Sequence, residues 1–262
     1  MPPPWQPSFD VYVTRLAADE GEDEGAASFV LDMAALEHAP LATHPLRLQI
    51  RVALQSPGED GLRDPTEAES LGNLENGIVE AIDQAIDGVY VGRWVHDGTT
   101  TYVFYLPTAA ADAIEDLPDI LGSTHPYEPE WLTDPDPEWS FYAEFMYPDE
   151  YTLASMQNRA LLEHILSEGD VLDAPREVDH VALFPSRGRA EEAATALRGA
   201  GFAVEDVAAP DSDQAPWSLP FRRADALDSG RPDAFCEEIL DIVLPLEGAY
   251  DGWSAPIVRG EP

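Results

Sequence analysis

The chain has 262 residues, 44% of them hydrophobic and with six Trp, nine Tyr and nine Phe, enough to fill two cores where single cores stop growing at roughly 100 to 200 residues. Acidic residues outnumber basic ones 51 to 14, every basic one is Arg, and the formal net charge is −37; such a surface repels phosphate backbones, which excludes direct nucleic-acid binding as a first reading and favours basic partners. No apolar run approaches the ~20 residues needed to cross a bilayer, nothing at the start reads as a signal peptide, and the single cysteine, Cys236, rules out an intrachain disulfide or thiolate cluster, so a cytoplasmic protein without membrane association is expected.

"SFDVYVTRL" and "AASFVLDMAAL" place Val11, Val13, Phe29, Leu31 and Met33 at the two-residue period of strands, and the acidic "AADEGEDEG" between them reads as a hairpin connection. "LRLQIRVALQ" alternates more cleanly, with Leu46, Leu48, Ile50, Val52 and Leu54 on one face. The period then lengthens: Leu71, Leu74, Ile78, Ile82 and Ile86 recur every three or four residues, opened by Pro65 and closed by Gly88, which predicts a helix. Two strands around an Asp97-Gly98 turn follow. "TAAADAIEDLPDIL" reads as a helix disturbed by Pro118, and "WSFYAEFMYP" as the closing strand of a first domain ending at Leu153.

The second half opens with a helix in "TLASMQNRALLEHILSEGD", its face formed by Met156, Ala160, Leu161 and Ile165 and its stop by Gly169. "REVDHVALFPS", "FAVEDVAAP", "APWSLPFRRADAL" and "SAPIVRG" read as strands, with helices in "GRAEEAATALRGAG" and "RPDAFCEEILDIVLPLEG". The expected class is α+β in two domains: residues 1–153, an antiparallel sheet with two helices, and residues 154–262, whose β-α-β-β-α-β order is ferredoxin-like, with both helices on one face of an antiparallel sheet. The first 153 residues hold 30 acidic and 5 basic side chains against 21 and 9 in the rest.

Catalytic motifs are missing. There is no Gly-rich phosphate loop, no nucleophile elbow and no HExxH helix. Asp170, Asp173, Asp179 and His180 lie close together, and oxygen with imidazole would suit Mn or Zn. Strand alternation, however, turns Asp179 and His180 to opposite faces, so neither a metal nor any other cofactor is expected. The same alternation separates Arg222 from Arg223, which reads as ion pairing with the abundant carboxylates. Cys236, in an apolar helix, reads as a packing residue.

The second half resembles the regulator of ribonuclease E activity B family. The shared pattern is a Gly-Asp after a helix (Gly169, Asp170), an Arg followed by Asp-His on a strand (Arg176, Asp179, His180), a Gly-Phe-x-Val strand (Gly201 to Val204) and a closing Tyr250, Asp251, Gly252, Trp253. The first half, with "ASFVLDM", "EDGLRDPTEAESLGNLEN" and "TTTYVFYL", is similar to the domain of unknown function 695 family. The first resemblance implies a ferredoxin-like domain that binds and inhibits ribonuclease E, or a similar basic RNA-processing protein, without catalysing anything; Asp170, Arg176, Asp179, His180, Tyr250, Asp251, Gly252 and Trp253 are then signature or protein-binding candidates. The rival readings are a metal-dependent hydrolase using Asp170, Asp179 and His180, and a protein-interaction scaffold. In "GAYDGW", Gly248 suits a helix stop and Asp251-Gly252 a tight turn, with Tyr250 and Trp253 packing and hydrogen-bonding.

Overall fold

The computed structural model describes residues 3–16, 25–110, 113–121, 126–210, 212, 215–228 and 230–259. The chain divides into two compact units, Met1–Pro148 and Asp149–Pro262. The division lies at the start of the Pro148 to Leu153 stretch where the sequence places the passage between domains, and a helix starts at Glu150, where the Asp149 carboxylate accepts the Thr152 N–H at 2.8 Å.

In the first unit, β1 (Phe9–Leu16), β2 (Gly25–Asp32), β3 (Leu46–Ala53), β4 (Val89–His96), β5 (Thr99–Leu106) and β6 (Glu130–Pro135) form one sheet in the order β1-β2-β4-β5-β3-β6, and every pair is antiparallel. The acidic hairpin connection between β1 and β2 lies largely outside the described residues. Helix α1 (Ala68–Ile86) lays Leu71, Leu74, Ile78, Ile82 and Ile86 on the face carrying Leu48, Ile50 and Val52. The helix is stopped by Asp87 in the left-handed region, φ 58°; Gly88 is there for space, since a Cβ would come within 2.5 Å of Ile82 Cγ2.

β1 and β2 form strands as the alternation predicts, with Val11 and Val13 exposed and Tyr12, between them, buried. Two expectations fail in this unit. "TAAADAIEDLPDIL" breaks into two 3-10 turns and the short helix α2 (Leu117–Leu121), with Pro118 at its start, where the missing N–H costs nothing. "WSFYAEFMYP" is no strand: Phe141–Met146 coil into a π-helical turn that buries Tyr142 and Met146. Asp136 organises that turn by accepting the Ser140 and Phe141 N–H groups and the Tyr105 hydroxyl at 2.7 to 3.0 Å. Trp139 stacks on Tyr105 at 4.0 Å.

The second unit runs α3 (Glu150–Ser167), β7 (Arg176–Phe184), α4 (Arg187–Gly199), β8 (Ala203–Val204), β9 (Trp217–Asp225), α5 (Arg231–Val243) and β10 (Ala249–Ser254). Its sheet order is β10-β7-β9-β8, antiparallel throughout, the order of a split β-α-β pair and consistent with the ferredoxin-like expectation. One sheet face buries Val178, His180, Ala182, Phe184, Leu219 and Phe221 against a core shared with α4 and α5.

The last strand is not "SAPIVRG" but "AYDGWS" itself. Asp251-Gly252 forms no hairpin turn; it is a β-bulge, the register slipping between Tyr250 opposite Ala182 and Trp253 opposite His180, with Gly252 at φ 96°. The helix stop falls to Glu247, at φ 56°. Gly248 fills a gap that admits no side chain, because a Cβ there would approach Phe184 Cε1 to 2.5 Å.

Candidate functional site

On β7 every second residue points into the core, so Arg176, Val178 and His180 are buried while Glu177 and Asp179 are exposed. The bulge in β10 resets the alternation so that both Tyr250 and Trp253 reach inward. These inward signature side chains meet α3 and α5 in one connected polar network. His180 Nδ1 and the Tyr250 hydroxyl are hydrogen-bonded at 2.7 Å. The same hydroxyl lies 4.0 Å from Cys236 Sγ, and Asn158 Nδ2 donates to that sulfur at 3.5 Å and to Asp233 Oδ1 at 2.8 Å. Asn158 Oδ1 in turn accepts the Trp253 Nε1–H at 2.6 Å.

The surroundings of this network are aromatic. His180 stacks on Phe221 at 5.2 Å and meets the edges of Phe202 and Phe235, while Trp253 packs edge-on against Phe235. Burial, with the nearby Arg223 charge, pushes the His180 imidazole down to about 4, against an opposing pull from Asp225. Burial also raises the Cys236 thiol and the Tyr250 hydroxyl. Near neutral pH all three are therefore uncharged, and His180 Nε2 is buried without a partner. A shielded imidazole, a protonated thiol and a protonated phenol make a packing network, poorly suited to moving protons to and from a substrate.

The Gly-Asp and Arg positions form a second buried cluster. Asp170 and Arg176 pair at 2.5 Å with side chains 0% and 2% exposed. Arg176 also donates to the carbonyls of Val171, Ala174 and Pro256, and Asp170 Oδ2 accepts the Val258 N–H at 2.7 Å. The pair thus clasps the turn after α3 to the segment beyond β10. Burial alone would raise the Asp170 carboxyl, but Arg176 and the Val258 N–H outweigh it and hold it below the usual carboxylate range.

The two arginines of β9 separate as alternation requires. Arg222 is on the open side, near Glu177 and Glu205 at 3.4 and 3.6 Å. Arg223 lies over the Phe202 ring at 4.0 Å and joins Asp225 and Glu238, both at 2.8 Å; Arg231 closes on the other oxygen of Asp225.

The eight signature residues therefore have three fates. Asp170 with Arg176, and His180 with Tyr250 and Trp253, are tied into buried hydrogen bonds; Gly252 shapes the bulge; Asp179 and Asp251 are exposed. The Asp170, Asp179 and His180 set of the hydrolase reading is not brought together, since Asp179 faces away from His180 and Asp170 is committed to Arg176. Among the described residues no group of three or more His, Cys, Asp or Glu is arranged to hold a metal ion. Sequence reading missed Asn158, 3% exposed at the centre of the network. Its only signal was position: Asn158 lies four residues after Ala154 and three before Leu161, on the inward face of α3, where exposed Ala160 had been expected.

Residues 155–255 match the family model for "Regulator of ribonuclease activity B", and residues 19–147 match a family of unknown function, DUF695. No curated protein matches the chain. Among solved structures, a "putative glycine cleavage system transcriptional repressor" is 9% identical, with 82% of this chain and 98% of that one covered and a TM-score of 0.23. An unknown protein from Galdieria sulphuraria is 11% identical, with coverages of 81% and 99% and a TM-score of 0.21. At those scores neither bears on fold or function. No described helix is long and apolar enough to cross a membrane.

Proposed function

We propose that this chain, whose residues 155–255 carry the ribonuclease-regulator match and whose first unit matches DUF695, is a non-catalytic acidic protein that binds an RNA-degrading endoribonuclease of the ribonuclease E type and lowers its access to RNA. The observation that carries the reading is the use of the signature: its inward residues are consumed in buried hydrogen bonds and its outward ones are acids. A net charge of −37 suits a partner with basic, RNA-binding segments, and a basic segment covered by an acidic protein is withheld from RNA.

Asp179 and Asp251 are the signature residues available to touch such a partner. Asp170, Arg176, His180, Tyr250, Gly252 and Trp253 act by shaping the surface that presents them. The deciding experiment is a pull-down of the host's ribonuclease E with the full chain, together with a gel assay of RNA cleavage at low and high salt. Binding and slowed cleavage are expected, weakening as salt rises. Failure to bind at any salt removes the reading.

A further inference from the structure

Strand β6 ends the sheet of the first unit, and its main chain shows which part of that end is open. The Asp136 N–H donates to the Pro45 carbonyl at 2.8 Å, and the same register pairs Asp134 with Arg47, Leu132 with Gln49 and Glu130 with Arg51, without a shift. Bonding to one neighbour takes every second residue of a strand, so Glu130, Leu132 and Asp134 bond inward to β3 while Pro129, Trp131, Thr133 and Pro135 face off the edge. The two prolines have no N–H to offer. Trp131 and Thr133 have theirs, and among the described residues nothing takes up their N–H or C=O groups. The edge is thus closed by proline at both ends and open between them. By contrast β10, an edge strand of the second unit's sheet, is interrupted in the middle by its Asp251-Gly252 bulge.

The open stretch carries an apolar side chain on each face of the sheet. Trp131 is 37% exposed beside Ile50, and Leu132 is 50% exposed beside Gln49. Its charge is mixed, with acid in excess. Glu128 and Glu130 at its start and Glu138 beyond its end are exposed, and Arg47 and Arg51 stand behind it on β3. Arg47 is taken by Asp134 at 2.7 Å. Arg51 lies across from Glu130 without closing an ion pair, so Glu130 keeps its charge for a strand on its other side.

We propose that this edge takes an extended basic segment of a partner protein as an added antiparallel strand, bonded through the main chain of Trp131 and Thr133, with apolar side chains beside Trp131 and Leu132 and an Arg or Lys opposite Glu130. Charge selects this occupant over a second copy of the chain. The outward groups of two β6 strands meet antiparallel only in a register centred on Leu132, which sets Glu130 opposite Asp134 of the copy, and like charges directly opposite are destabilising. The first 153 residues, with 30 acidic and 5 basic side chains, add a repulsion that a basic segment turns into attraction. The proposal concerns the first unit and stands independently of the ribonuclease reading of the second.

The test uses the full chain and a labelled nine-residue peptide with Arg-Val-Leu-Val-Arg at its centre, followed by fluorescence anisotropy at low salt. One control is N-methylated at both Val, whose N–H groups would meet the edge; a second is N-methylated at Leu, whose N–H would point away from it; a third has Glu in place of Arg. The unmodified and Leu-methylated peptides are expected to bind alike and at least tenfold more tightly than the other two. Thr133→Pro, which removes an outward N–H and leaves the ladder to β3 intact, and Glu130→Arg are each expected to weaken binding severalfold, while Glu191→Arg on α4 leaves it unchanged. The methylated peptides need no variant and decide the matter even if Thr133→Pro fails to fold. Equal binding of the Val-methylated peptide, or no binding of the unmodified one, overturns strand addition. Equal binding of the Glu peptide, or a concentration-dependent dimer by light scattering that Thr133→Pro abolishes, overturns the choice of occupant.

Discussion

Trp253 Nε1 donates to Asn158 Oδ1 at 2.6 Å, tying the last strand of the second unit to its first helix across 95 positions of sequence. Asn158 is 3% exposed, and the half-buried Trp253 indole lies edge-on to Phe235. Trp253→Phe keeps an aromatic ring there but leaves the Asn158 oxygen without its donor. The expected cost is about 1 to 3 kcal/mol, read as a lower urea midpoint. At a temperature where the variant is folded, its affinity for a ribonuclease partner should be unchanged; a drop in affinity with an unchanged melting temperature would make Trp253 a contact residue instead.

What was legible in sequence, and what was not, follows the same physics. The α1 face could be read because Leu71, Leu74, Ile78, Ile82 and Ile86 all obey one period and all are buried. The separation of Asp179 from His180 and of Arg222 from Arg223 followed from alternation alone. Strand β10 was misplaced because Asp251-Gly252 has the chemistry of a turn, and a bulge uses the same left-handed glycine without reversing the chain. Residues 141–146 were misread because an aromatic run carries no clear period; the Asp136 side chain, which accepts two N–H groups of that turn, decides its conformation. Asn158 was invisible because a polar side chain on an inward helix face is explained only by partners distant in sequence.

The Asp170–Arg176 clasp should behave as a buried pair. Asp170→Asn leaves the guanidinium enclosed with only carbonyl partners, and Arg176→Met strands the carboxylate; each should cost about 3 to 5 kcal/mol. The double variant should recover part of that loss, since it removes both desolvated charges together. Urea unfolding of the four proteins measures the coupling. Because Pro256 and Val258 hang on the same pair, either single variant should also expose the C-terminal segment to carboxypeptidase sooner.

His180 sets a pH dependence with a definite sign. Its imidazole is held down to about 4 in the folded protein by burial and the Arg223 charge, whereas an unfolded His titrates near 6.5. Between those values the unfolded chain binds a proton that the folded chain refuses. Stability is therefore complete above about pH 6.5 and is lost as pH falls toward 4, by up to about 3 kcal/mol over the window. Asp170 and Asp225, both held low by arginines, lose their contributions only at more acid pH. His180→Gln should flatten unfolding free energy between pH 6.5 and 4.5 while leaving the acid limb in place.

Asp179 and Asp251 test the outward half of the signature. They are exposed, so replacing them with Asn should leave the melting temperature within about a degree, as substitutions outside the buried networks usually do. If the open face meets a basic segment of a ribonuclease, the double Asn variant removes two attractive charges from the encounter, and long-range attraction acts chiefly on the association rate. Stopped-flow or surface-binding kinetics should then show slower association at low salt, a difference that shrinks as salt rises and the Debye length contracts, and a dissociation rate changed less than the association rate. Equal kinetics for wild type and variant at every salt concentration would move the contact off this face.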